Sequence, residues 1–131
     1  MKGIYVLLIQ IDRTLSCGIG ALGELTFNQG LYAYVGSSQN NLELRVKRHR
    51  RKDKRLFWHI DYLLNNEAAK IIKVFYKHGD KIQECQTAVL LRENGFPIDD
   101  FGCSDCHCKT HLFRIEGFNF LEKSLQRLNL V

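Results

Sequence analysis

The chain has 131 residues, 45% of them hydrophobic and 25% charged, with one proline and no low-complexity tract. That length and balance predict one folded domain with its own core, and they exclude a disordered or repeat protein. The formal charge of +5 hides a strong local excess. Residues 45 to 55 carry eight cations against Asp53 alone, a net of +7, so the rest of the chain sums to −2. A positive charge confined to one stretch points to a polyanion as partner.

The opening run Gly3 to Ile11 is rich in Ile, Val, Leu and Tyr and has no helix start signal. It reads as a central strand. It is far shorter than the roughly 18 residues a membrane span requires, and it lacks the small-residue cleavage site of a signal peptide. The expectation is a cytoplasmic protein with no membrane partner. Gly18, Gly20 and Gly23 mark turns, Glu24 to Phe27 a second strand, and Leu31 to Gly36 a third that pairs back across Asn28-Gln29-Gly30 as a hairpin.

Asn40 or Asn41 can cap a helix that starts near Leu42. At about 100° per residue, Leu42, Arg45, Val46 and His49 share its inner side, and the remaining cations face outward. Phe57 to Leu64 reads as a short helix, with Trp58 and Tyr62 as core residues. Ala69 to Lys77 reads as a strand and Lys81 to Glu93 as a well-buried helix, with Gly95 as its stop signal. On that helix Glu84 shares a row with Ala88 and Leu91. A carboxylate so placed needs a partner, and a metal ion would serve. Pro97 to Thr110 reads as a loop, His111 to Glu116 as a last strand and Asn119 to Leu130 as a terminal helix. The predicted class is α+β, a small antiparallel sheet flanked by helices.

The five cysteines are an odd number, and Cys103, Cys106 and Cys108 fall within six residues. With His111 they offer four soft ligands for a structural Zn²⁺. Nine residues is a tight span for one ion, since most zinc sites draw on two separated pairs. The alternatives are a compact turn whose thiols pack or form a labile disulfide, and an approach of Asp105 and His107 to the active site. Cys17 and Cys85 read as small buried apolar residues.

Gly3-Ile4-Tyr5 and Tyr34-Val35-Gly36 resemble the two halves of the GIY-YIG nuclease signature. The run Tyr34-Val35-Gly36-Ser37-Ser38, then Arg45, then His49 one turn later, is similar to that superfamily's strand, turn and helix, and His59 stands where a second histidine is found. The resemblance covers roughly residues 1 to 90. The remainder looks like the small stand-alone branch, also called Uri-type endonucleases and formerly a domain of unknown function. One departure is the 29-residue separation of Tyr5 and Tyr34, against about ten in the family. Gly30-Leu31-Tyr32 is a competing half-signature, so Tyr32 could hold a site position.

The resemblance implies a metal-dependent endonuclease. Water attacks a phosphodiester in a single step, in DNA or RNA, with selectivity for nucleic-acid structure in repair or processing. One Mg²⁺ or Mn²⁺ sits on Glu84. Arg45 holds the phosphate with a permanently charged fork. Tyr5 or Tyr34 takes the water's proton, once a nearby cation lowers its pKa. His49 and His59 orient the water or relay the proton. Ser37, Ser38, Arg48, Arg50, Arg51, Lys52, Lys54 and Arg55 contact nucleic acid, DNA ahead of RNA, with weak sequence preference and strong salt dependence. The rivals are an inactive nucleic-acid-binding module of the same fold, and a zinc- or redox-responsive binding protein.

Overall fold

The computed structural model describes residues 1–102 and 109–129. Its frame is a six-stranded antiparallel sheet, with a separate two-stranded sheet and four α-helices. In chain order the elements are β1 (Gly3–Ile11), β2 (Leu15–Gly18), β3 (Glu24–Phe27), β4 (Gly30–Ser38), α1 (Leu42–Arg50), α2 (His59–Leu64), β5 (Ala69–His78), α3 (Lys81–Glu93), β6 (Gly95–Pro97), β7 (Leu112–Ile115), α4 (Asn119–Ser124) and β8 (Gln126–Arg127). The large sheet runs β6-β7-β4-β1-β5-β8. The α+β class expected from the sequence is the class observed.

β1 is central and apolar on both sides, so the sheet must be covered on both faces. Tyr5, Leu7, Ile9 and Ile11 pack with Tyr32 and Tyr34 under Leu42 and Val46 of α1 and Ile60, Leu63 and Leu64 of α2. Ile4, Val6 and Leu8 pack on the other face with Ala88 and Leu91 of α3 and Leu121 of α4. Of the 28 residues between the two tyrosines, the excursion beyond β1 and β4 is taken up largely by β2 and β3, which pair with each other as the small sheet. β1 and β4 then meet directly, with Leu7 opposite Tyr34 and Tyr5 opposite Gly36.

Three expectations about the elements are corrected. β4 does not fold back on β3; its partners are β1 and β7, because both of its faces are apolar and fit the interior of the large sheet. The terminal helix ends at Ser124, where Leu125 turns extended and Gln126 and Arg127 add an edge strand to β5. α3 has the expected bounds and is capped by Asp80, whose side chain accepts from the Ile82 N–H. It is not apolar all round its buried side: Glu84, Thr87, Ala88 and Leu91 face inward while Ile82 and Val89 stand in solvent. No helix among the described residues is long and apolar enough to cross a membrane.

Candidate active site

Opposite Tyr5, residue 36 has to be glycine. A Cβ there would lie 2.5 Å from the Tyr5 hydroxyl oxygen and ring, closer than carbon atoms approach. The ring crosses the strand at that point, and the backbone of β4 continues past it into Ser37. Asn41 caps α1 by accepting from the Leu44 N–H, and the helix then buries Leu42, Val46 and His49 as its stripe predicts. Arg45, beside that stripe, reaches the same strand end.

These elements enclose a cleft of about 620 Å³ whose lining includes Tyr5, Tyr34, Ser37, Arg45, Trp58, His59, Glu84 and His111. The arrangement joins the two faces of the sheet. Arg45 comes from the α1 side and Glu84 from α3 on the other side. Ser37 links them: its carbonyl accepts from Arg45 Nη1 at 3.2 Å and its hydroxyl donates to Glu84 Oε1 at 3.3 Å. His111 Nδ1 lies 3.6 Å from Glu84 Oε2.

The two phenols sit in dry surroundings. Burial raises the pKa of Tyr5, against the pull of the Arg45 charge. Burial raises Tyr34 well above the usual phenol value, with Tyr5 and Glu84 adding to it and Arg45 opposing. The expectation that a cation within the chain lowers either phenol is therefore corrected: desolvation outweighs Arg45. His49 does not line the cleft. It lies behind Tyr5, with its Nε2 at 2.7 Å from the Tyr5 hydroxyl. Burial first, then Lys54, lowers its pKa to about 3, so the ring is neutral at pH 7. His59 does line the cleft, and its Nδ1 accepts from the Gly102 N–H at 2.9 Å. In the neutral ring that bond leaves the proton on Nε2. Burial lowers the His59 pKa as well.

Tyr32 has no place in the cleft. It is buried, its hydroxyl donates to the Asn28 carbonyl, and its ring meets Phe27 edge-on. Ser38 is buried in β4 and is not among the lining residues, whereas Ser37 is.

The cation run divides. Lys47, Arg50, Arg51 and Arg55 are exposed. Arg48 turns inward and forks onto the buried Asp61, with Nη1 to Oδ1 at 2.9 Å and Nη2 to Oδ2 at 3.0 Å. Lys54 is almost wholly buried and donates to the Arg48 and His49 carbonyls, closing the C-terminus of α1. Lys52 donates to the Leu64 carbonyl. The outward orientation expected for Arg48 and Lys54 is corrected: a carboxylate and orphan carbonyls inside the fold claim them, while Lys52 stays exposed. Asp61 also accepts from the Phe57 and Trp58 N–H groups. Burial alone would raise its pKa, but the Arg48 fork and those two N–H donors outweigh it and the net shift is downward.

Trp58 packs against the core, as expected, and does more besides. Its half-buried ring lines the cleft, with the guanidinium carbons of Arg45 and Arg48 at 4.6 and 4.5 Å from its centre. An aromatic directly after a basic run was the available sign. Asp61, three residues later, was legible as a first-turn acid but not as the hub it is.

A resident Mg²⁺ or Mn²⁺ would need hard oxygen ligands. Among the described residues no three His, Cys, Asp or Glu side chains gather as a ligand set. Glu84 is the carboxylate lining the cleft, with the Ser37 hydroxyl beside it. That donor set fits an ion that keeps several waters and binds through one carboxylate and the substrate's phosphate. The proposed zinc ligands Cys103, Cys106 and Cys108, with Asp105 and His107, lie outside the described residues. His111 faces Glu84.

No curated protein and no solved structure matches the chain. A family profile, Domain of unknown function DUF123, matches residues 4–129. With nearly its whole length aligned to that profile, the chain belongs to the DUF123 family.

Proposed function

We propose that the protein is a metal-dependent endonuclease of the GIY-YIG type that hydrolyses phosphodiesters in DNA or RNA, selecting on nucleic-acid structure. One observation carries this reading: Tyr5, Tyr34, Arg45 and Glu84, spread over 80 residues of sequence, line a single cleft next to an exposed basic segment. Phosphoryl transfer asks a protein mainly for positioning and for charge placed where the oxygens are. This cleft has a permanent cation, a carboxylate and two neutral hydroxyl groups within its walls.

Arg45, held by the Ser37 carbonyl and by the face of Trp58, presents its remaining N–H donors to a phosphate. Glu84 would hold Mg²⁺ or Mn²⁺, which when bound supplies Lewis-acid polarisation and a more acidic water. Burial raises both phenols and Arg45 opposes it; a metal ion held by Glu84 would oppose it further and let a phenol take the water's proton. Tyr5 would orient the attacking water through its hydroxyl, and His49, with Nε2 2.7 Å from that oxygen, holds the phenol in place while itself staying neutral. His59, with its proton on Nε2, is the donor in the cleft for the leaving oxygen.

The test is a panel of single-stranded, duplex, branched and looped DNA and RNA, incubated with Mg²⁺ or Mn²⁺ and scored for new ends. Metal-dependent products are expected on at least one structure class. Binding without cleavage across the panel and both metals returns the protein to a nucleic-acid-binding module.

A further inference from the structure

Phe57 is out of place by every rule of core formation. It is 73% exposed, more than any other large apolar side chain among the described residues, and it belongs to neither core cluster. Yet its backbone is fixed: the Phe57 N–H donates to the buried Asp61 carboxylate at 2.9 Å. Its ring meets Trp58 edge-on, at 5.8 Å and 81°. The Trp58 ring carries the guanidinium groups of Arg45 and Arg48, so the aromatic surface open to solvent at this wall of the cleft belongs to Phe57. The exposed cations Arg50, Arg51 and Arg55 precede it in the chain.

We infer that Phe57 is a stacking platform for one unpaired nucleobase, so that the cleft takes single-stranded or locally melted nucleic acid ahead of intact duplex. This rests on the nucleic-acid reading above and narrows its substrate class. A planar base has a π face to lay on the ring, and the adjoining cations meet the phosphates on either side of it. Within a duplex both faces of each base are covered by neighbouring bases, so the platform has nothing to receive until a base is released. The edge-on contact with Trp58 supports the Phe57 ring, and the Asp61 anchor fixes its backbone next to the Trp58 ring that carries Arg45.

The experiment measures binding alone, with EDTA present so that no cleavage intrudes. Fluorescein-labelled single-stranded DNA and a blunt hairpin duplex of equal length are titrated with wild type, Phe57→Ala, Phe57→Leu and Phe57→Tyr. Phe57→Ala and Phe57→Leu are expected to weaken single-strand binding about 5- to 100-fold. Phe57→Tyr should stay within about twofold of wild type, and the duplex should change less than about twofold for all three variants. Trp58 is the only tryptophan, so single strands should also quench its emission in the wild type. Phe57→Leu binding single strands as wild type does would make the site merely apolar, suited to a protein partner, and overturn the inference. Equal losses on single strand and duplex would overturn it too. Wild type that binds neither probe would remove the nucleic-acid reading itself, which separates the two failures.

Discussion

Tyr5 and Gly36 face each other across β1 and β4, and the phenol occupies the volume that any side chain at 36 would need. The glycine at 36 is thus a requirement of the tyrosine's placement. Gly36→Ala should push the Tyr5 ring off His49 and away from the cleft. A loss of about 1–3 kcal/mol in stability is expected from overpacking, with cleavage falling further than stability explains. Urea denaturation and single-turnover cleavage on the same protein would separate the two effects.

Asp61 is buried among Arg48, Lys54 and two backbone donors. Asp61→Asn leaves the Arg48 guanidinium and the Lys54 ammonium beside a neutral amide in a poorly hydrated site. Breaking one side of such a pair costs about 3–5 kcal/mol. The midpoint of chemical denaturation should shift accordingly. An Asp61→Asn variant as stable as wild type would mean that solvent reaches these charges.

His49 ties stability to pH. Its folded-state pKa is about 3, below the ordinary value of 6.5. Between these values the unfolded chain binds a proton that the folded chain refuses, so stability rises with pH. The contribution is complete above about pH 6.5 and is lost as pH falls toward 3. Denaturation midpoints should decline from pH 7 to pH 4, and His49→Phe should flatten that decline. NMR should find the His49 ring neutral down to pH 5.

The basic segment should behave as two groups. Arg50 and Arg51 are exposed, and removing each should lower the slope of log affinity against log salt by about 0.9 for duplex DNA. Lys54 closes the end of α1. Lys54→Ala should lower stability and leave the salt slope unchanged.

Much of this was open to reading along the chain, for local reasons. Gly95 as a stop signal and the row through Ala88 and Leu91 marked out α3 and turned Glu84 inward, while the Asp80 cap went unread. Asn41 and the stripe Leu42, Val46, His49 did the same for α1. What escaped depends on contacts between distant segments. β4 chose β1 and β7 over its neighbour β3 because both its faces are apolar, a choice made by the whole sheet. Arg48 and Lys54 look like surface cations until Asp61, from the next helix, is brought beneath them. The terminal helix expected from Asn119 to Leu130 stops short for the same reason: β5 offers Leu128 N–H the Val74 carbonyl and draws the chain out into an edge strand. Of the expected site, Tyr5, Tyr34, Ser37, Arg45, His59 and Glu84 share the cleft, while His49 lies behind Tyr5.

The central claim is that Arg45 and Glu84, joined through Ser37 from opposite faces of the sheet, form one reaction centre. The most direct measurement is single-turnover cleavage of an end-labelled substrate in Mg²⁺ or Mn²⁺ by wild type, Arg45→Ala and Glu84→Gln, alongside circular dichroism and binding in EDTA. The account predicts at least about 100-fold slower cleavage in both variants, with folded spectra retained and affinity within a few-fold of wild type. Cleavage by Glu84→Gln at the wild-type rate, with the same metal dependence, would contradict it.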